Sequence, residues 1–250
     1  MANDQNYATR QLQVVRDLRV FQPFEGSNAA KLMQRLLTGK DERGTKVDFT
    51  RLPMTAKQLA QTRLGRLEGA NEADQNYLRG VYVTTSTAVL PNPRGDDVKL
   101  DRDCPLVYRF TPKTELDPRN LAITQDQYEL NTGFKLTVKQ ANELRSNSYV
   151  LPKVRRAFWE DQFEGDVQLT RDYIADVEQT TGLKFDENAM GLWLPRSKGM
   201  RLLGVDRVDD DYWSGASGGS GLDSDGRLVG YVAEPQLVAQ KMGVSLDSLV

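Results

Sequence analysis

Residues 80–90, Gly-Val-Tyr-Val-Thr-Thr-Ser-Thr-Ala-Val-Leu, constrain the fold more than any other stretch of this chain. β-Branched and aromatic side chains are stiff at χ1 and fit a pleated sheet better than a helix, so the run reads as a strand. Pro91-Asn-Pro-Arg-Gly-Asp-Asp97 follows with turn chemistry, and 98–110 (VKLDRDCPLVYRF) reads as a second strand. The sequence therefore predicts a central β-hairpin over 80–110 with a long tip at 91–97.

On both sides of this hairpin the patterning is largely helical. Ser27 or Asn28 caps a helix that stops at Gly39, and Thr55 opens a second over 55–69 with Leu59, Thr62, Leu64 and Leu67 on one face. A third runs through 71–79, and Val47 and Phe49 suggest a short strand between the first two. Downstream, a helical stretch at 122–131 ends at Gly133, and Thr137 caps a helix over 137–146. Residues 149–159 are mixed apolar and basic, and 170–181 form a helix stopped by Gly182. Short strands at 191–194, 201–205 and 227–232 precede a last helix near 235–242. Elements in runs, rather than in βα alternation, make the class α+β: a helical N-terminal part, the central hairpin, and a mixed C-terminal part with short strands. With 250 residues the chain is within single-domain range. Residues 1–26 read as a polar, basic N-terminal arm, and 27–250 as one α+β domain with a sub-boundary near 112–121. Residues 128–136 and 177–185 share Glu, Thr, Gly and Lys at an offset of 49, which reads as a helix end, a glycine stop and a strand start in both.

Two scarcities narrow the chemistry. The chain has no histidine, so the usual neutral-pH base, His-based zinc ligation and Ser-His or Cys-His dyads are excluded. Its one cysteine, Cys104, cannot form an intrachain disulfide and is expected in the core beside Pro105. The first residues are polar and no apolar run approaches membrane-spanning length. These features lead to the expectation of a soluble protein, cytoplasmic or assembled inside a cell, with no membrane partner. No metal and no cofactor is assigned.

Charge is unevenly placed. The net charge is −2, yet residues 1–66 carry 12 basic against 6 acidic side chains and 160–234 carry 7 against 16. Such polarity suits a nucleic-acid-facing end or a head-to-tail contact between copies. Lys153, Arg155, Arg156, Phe158 and Trp159 interleave base and aromatic, the chemistry of phosphate contact plus base stacking.

Ser214-Gly-Ala-Ser-Gly-Gly-Ser-Gly221 is followed by Leu-Asp-Ser-Asp-Gly-Arg-Leu-Val-Gly-Tyr231. The stretch resembles the nucleophile region of chymotrypsin-like serine proteases, where a Gly-x-Ser-Gly-Gly turn precedes a hairpin. The resemblance implies Ser217 as nucleophile and the Gly215 and Ser217 amides as oxyanion hole, with Asp117 as the acid candidate. The family's histidine has no counterpart, so the resemblance implies an inactive relative unless Lys184 or Lys198 serves as base. Asp223-Ser-Asp225-Gly226 reads as a tight turn, and Asp206, Asp209, Asp210 and Asp211 as a solvated loop. Without acid–base equipment the chain reads as a non-enzymatic structural or assembly subunit, such as a viral or phage particle component. It would associate with copies of itself or with other subunits. The alternatives are the hydrolase-like fold centred on Ser217 and a nucleic-acid-binding module.

Overall fold

The computed structural model describes residues 37–39, 45, 51–102, 104–109, 121–196, 199–209, 212–213, 215–218, 227–228, 230–233 and 235–248. The arm at 1–26, the 47–49 strand and the 223–226 turn lie outside the described residues, as does nearly all of the 112–121 boundary. The class is α+β, as the sequence predicts.

The β-branched run is β2 (Val83–Pro91), and all nine of its residues are buried. It lacks hydrophobic alternation because layers cover both of its faces. Val83 and Val89 join one apolar cluster, and Ala88 and Leu90 join the other. β3 (Val98–Asp101) pairs antiparallel with β2, with Pro91 opposite Val98, so the predicted tip closes the hairpin. The second strand is shorter than predicted. A 3-10 turn over Pro105–Arg109 replaces the expected strand, because Pro105 has no N–H to give a ladder. The sheet continues through β5 (Phe134–Leu136) on the β3 side. On the other side come β7 (Gly199–Val205), β10 (Ala216–Ser217) and β6 (Leu192–Trp193). β4 (Leu121–Ala122) pairs with β7. β11 (Arg227–Leu228) runs parallel to the start of β2, and β1 (Arg51–Pro53) pairs antiparallel with β12 (Gly230–Val232) in a separate two-stranded sheet.

Helices α1 (Ala56–Arg63), α2 (Glu72–Arg79), α4 (Val138–Ser146), α5 (Pro152–Gln162) and α6 (Val167–Thr181) build the first layer. Helix α3 (Gln125–Leu130), the 3-10 turn and α7 (Pro235–Met242) contribute to the second. Capping boxes start α1 at Thr55, α2 at Asn71, α3 at Thr124 and α4 at Thr137, satisfying amides that a helix start leaves orphaned. Leu37 and Thr38 are helical and Gly39 has φ 67°, which places the predicted stop of the first helix. α1 ends earlier than predicted, at Arg63, and Gly65 turns the chain with φ 67°. The mixed run at 149–159 becomes most of α5. Its Trp159 packs against Phe158, Phe163 and Tyr173 with ring centroids 5.1, 5.6 and 6.2 Å away. Burying each such ring contributes roughly 1.5–3 kcal/mol.

Arg63, fully buried, ties this layer together. Its guanidinium donates to the carbonyls of Leu78, Val81 and Asp206 and to the Tyr173 hydroxyl, at 2.7–3.0 Å. Ion pairs join Lys57 to Glu164, Arg66 to Asp172 and Arg79 to Asp176. Part of the charge asymmetry in the sequence is thus met within the chain, where Lys57 and Arg66 of the basic first quarter face Glu164 and Asp172 of the acidic stretch. Partly exposed pairs of this kind contribute about 0–1 kcal/mol each, so they orient more than they stabilise.

β2 and β7 slip by two residues between Thr84 and Ala88, which leaves Thr85, Ser86 and Thr87 bulged out of the ladder. Their polar groups find other partners. Thr85 donates its hydroxyl to the Leu203 carbonyl at 2.9 Å, and the Ser86 amide reaches the Met54 carbonyl at 3.0 Å. Bulges of this kind re-aim side chains beside functional sites.

At the hairpin tip the buried Asp97 carboxylate accepts from the Tyr128 hydroxyl at 2.7 Å and from the Asn92 amide at 2.7 Å, and pairs with Lys135 at 3.1 Å. Burial alone would raise its pKa; the three donors outweigh it and hold the carboxyl at about 2. Its contribution is therefore complete above the ordinary value near 3.8 and disappears as pH falls through about 2. Asp97→Asn is expected to cost about 2 kcal/mol at pH 7, with the gap from wild type closing toward pH 2. Urea denaturation of both proteins across that range checks this; a pH-independent gap would refute it.

Candidate functional site

The basic-aromatic patch expected at 153–159 does not assemble as a surface. Helical geometry turns Arg155, Phe158 and Trp159 inward, and all three are fully buried. Arg155 donates to the carbonyls of Val150, Phe185, Ala189 and Met190 at 3.1, 2.6, 2.8 and 3.3 Å, and stacks on the Phe185 ring. Burial draws its pKa down to about 10, with Asp186 pulling it back up, so the group stays charged at neutral pH. It organises the 183–190 loop and has no donor pointing at solvent. Of the predicted set only Lys153 is exposed; Arg156 is half-buried, 5.0 Å from the centre of the Phe185 ring.

Ser217 and Gly215 are placed in and beside the sheet. Ser217, half-buried, lies in β10 between β7 and β6, opposite Gly204 and Trp193. The neighbouring amides of Ala216 and Gly218 donate to the carbonyls of Gly191 and Trp193. Gly215 is demanded by packing, since a Cβ there would come within 2.2 Å of the Trp193 ring and 2.8 Å of the Gly191 carbonyl oxygen. A chymotrypsin-like fold implies paired β-barrels, whereas this sheet is sandwiched by helical layers. Lys184 is exposed, 3.7 Å from Glu178; Asp117 and Lys198 lie outside the described residues. Asp206 precedes β8 (Val208–Asp209), which Asp209 ends opposite Tyr212 of β9 (Tyr212–Trp213), and Asp210 and Asp211 are not described.

The structure builds a different site, around the segment that follows β3. A cleft of about 570 Å³ opens between the 3-10 turn, the end of α3 and the C-terminal turn of α5. Asp101, Arg102, Cys104, Leu130, Asn131 and Asp161 are on its wall. Each polar group is held by a neighbour. Arg102 donates at 2.9 Å to both the Asp161 carboxylate and the Asp161 carbonyl. Gln162 donates to the other Asp161 carboxylate oxygen at 3.1 Å and accepts from the bulged Thr87 hydroxyl at 2.6 Å. Ser86, in the same bulge, donates to the Arg102 carbonyl at 3.0 Å. The bulge in β2 therefore sets both partners of the ion pair. On the opposite wall Asn131 donates to the Asp101 carboxylate and to Cys104 Sγ, and accepts the Gly133 amide at 2.9 Å.

Burial raises the Asp161 carboxyl above the ordinary carboxylate range, while Arg102 and Gln162 pull it back and Asp101 adds to the rise. The cleft floor is thus two carboxylates and one guanidinium in a hydrogen-bonded frame. Its lip is apolar, with Leu130 82% exposed and Leu106 beside it. A second depression of about 740 Å³, lined by Lys57, Gln61, Tyr108 and Lys241, shares Arg102 as its border. Cys104, nearly fully buried, sits where the sequence expects it. Sequence reading missed the cleft residues because Asp101, Asn131 and Asp161 lie 30 residues apart, far beyond any helix or strand period. The Asn131-Thr-Gly133 turn was the one local signal.

Among the described residues, no group of three or more Cys, Asp or Glu side chains could hold a metal ion, and no helix is long and apolar enough to cross a membrane. Comparison with known proteins returned no matching family model, no matching curated protein and no matching solved structure, so the site is read from its own chemistry.

Proposed function

We propose that the protein is a non-enzymatic assembly subunit, associating with copies of itself or with other subunits of one complex, as a viral or phage particle component does. The observation that carries this reading is Leu130, 82% exposed at the lip of the Asp101–Asp161 cleft. An apolar side chain beside a polar, prearranged recess is the anatomy of a contact surface with an apolar anchor and a hydrogen-bonding floor. The histidine-free sequence supports the same reading, because a chain without imidazole lacks the usual proton shuttle.

Leu130→Asp is expected to lower the assembled fraction at least tenfold while leaving the fold intact, since the residue is exposed and its helix ends there. Sedimentation velocity over a range of concentrations, with and without other subunits of the complex, checks it. A wild-type chain that stays monomeric throughout, or an assembly indifferent to Leu130→Asp, would overturn the reading.

A further inference from the structure

We propose that the β2–β3 hairpin tip of one copy seats in the Asp101–Asp161 cleft of another, with Arg94 entering between the two carboxylates. This rests on the cleft being a docking surface, as in the assembly reading, and names what enters it. The tip is a built knob. Beyond the Pro91–Val98 pair of the ladder, the Asn92 amide donates to the Asp97 carbonyl at 2.9 Å and the Gly95 amide to the Asn92 carbonyl at 3.3 Å. The Arg94 amide donates to the Asn92 side-chain oxygen at 2.9 Å, and Arg145, on α4, donates to the Asp96 carbonyl at 3.2 Å. A loop held at this many points loses little freedom on docking, so more of the contact energy is kept. Arg94 is exposed on this tip.

Charge decides what the knob fits. Arg94, Arg145 and Arg196 have no carboxylate partner among the described residues. All three are at the tip end of the hairpin, where Arg145 and Arg196 line one recess with Gly95 and Asp96. The cleft end has the opposite sign. It holds two carboxylates, Asp101 and Asp161, against one guanidinium, Arg102, and α3 adds the exposed Asp126 and Glu129. A carboxylate accepts an arginine through two parallel hydrogen bonds, which gives the contact direction as well as attraction. Pro93, beside Arg94, brings an apolar ring to the Leu130 lip.

Knob and cleft lie at opposite ends of one strand. Pro91 pairs with Val98 at the tip and Ala88 with Asp101 at the cleft, and Gly133 of the cleft precedes Phe134, which lies opposite Leu100. About 10 Å of paired β3 separates the two. Tyr128 and Lys135 hold Asp97 at the base of the tip. The tip therefore cannot fold back onto its own cleft, and the occupant is a second copy.

The test uses the full-length chain in sedimentation velocity. Arg94→Asp and Asp101→Arg are each expected to lower the assembled fraction at least tenfold. Mixing the two variants is expected to restore assembly to within about twofold of wild type at the same total concentration, because every tip then meets a cleft of opposite charge. Arg171→Asp, the same charge change on an exposed position of α6, is expected to leave assembly unchanged. A second measurement leaves both Arg94 and Asp101 in place. Chains carrying Asp96→Cys and chains carrying Leu130→Cys, both with Cys104→Ala, are expected to form disulfides with each other at least tenfold faster than either forms with itself. Assembly that needs Leu130 but is indifferent to Arg94→Asp, a mixture of folded variants that stays dissociated, or equal disulfide rates would overturn the tip contact and leave the assembly reading standing. A wild-type chain that is monomeric at every concentration would sink both.

Discussion

Replacing Arg155 with methionine is expected to destabilise the protein by about 3–5 kcal/mol, the largest effect of any single change considered. Methionine fills much of the same volume, so packing around Phe158 and Phe185 is largely kept. What disappears is the guanidinium that satisfies the Val150, Phe185, Ala189 and Met190 carbonyls. A buried acceptor left without its donor costs roughly 1–3 kcal/mol, and relaxation of the 183–190 loop recovers part of the total. The melting temperature is expected to fall by roughly 10–15 °C, given about 2–4 °C per kcal/mol for a chain of this size. Arg155→Lys is expected to recover less than half, because one ammonium cannot span four carbonyls set around a planar fork. Thermal and urea denaturation of the three proteins decide it. A cost below about 1 kcal/mol for Arg155→Met would mean that the arginine's internal bonds are not what holds the loop. The same variant separates the structural role from the nucleic-acid role expected from sequence: a phosphate-binding arginine would lose affinity and leave stability nearly unchanged.

Gly133→Ala is expected to cost about 2–3 kcal/mol, second in size. A Cβ at 133 would come within 2.6 Å of the Leu100 carbonyl oxygen and 2.8 Å of the Asp101 Cα. These are backbone atoms, so no rotamer change relieves the clash. β5 or β3 must move, and β3 is paired to β2 on its other side. The strain falls on the Asp101–Asn131 wall of the cleft, so loss of stability is expected together with faster amide exchange at 98–101 and 133–136. Denaturation and hydrogen exchange on the same samples check the pairing of the two effects. A stable Gly133→Ala variant with native exchange would show that the Leu100 carbonyl does not lie within 2.6 Å of a Cβ at 133.

Gly133 also marks the limit of local sequence reading. Its surroundings resemble those of Gly182: Glu, Thr, Gly and Lys recur at a fixed offset. Gly182 stops α6 with φ 71° and has open space around its missing Cβ, so its role is conformational. Gly133 lies beyond the end of α3, which Asn131 caps, and is required by the approach of another strand. A strand follows Gly133, at Phe134, but none follows Gly182. The same letters do different work because the neighbour that matters is 32 residues away in one case, and three to four in the other.

The elements written in local chemistry were readable: the β-branched strand, the tip at 91–97, the caps at Thr55 and Thr137, the stop at Gly182 and the last helix at Pro235–Met242. Each depends on side-chain stiffness, a hydrogen bond to an amide three residues on, or a glycine with positive φ, and all of these act within a few residues. The helix over 152–162 and its inward-facing arginine were not readable, because which face of a helix is covered depends on the layer that covers it. The cleft was further out of reach. Asp101, Asn131 and Asp161 meet only after a two-residue slip between β2 and β7 has turned Thr85–Thr87 toward Gln162 and Arg102. Local propensity determined the pieces of this protein; burial of both faces of one sheet, a long-range event, decided which charges were spent inside and which two carboxylates were left to line a recess.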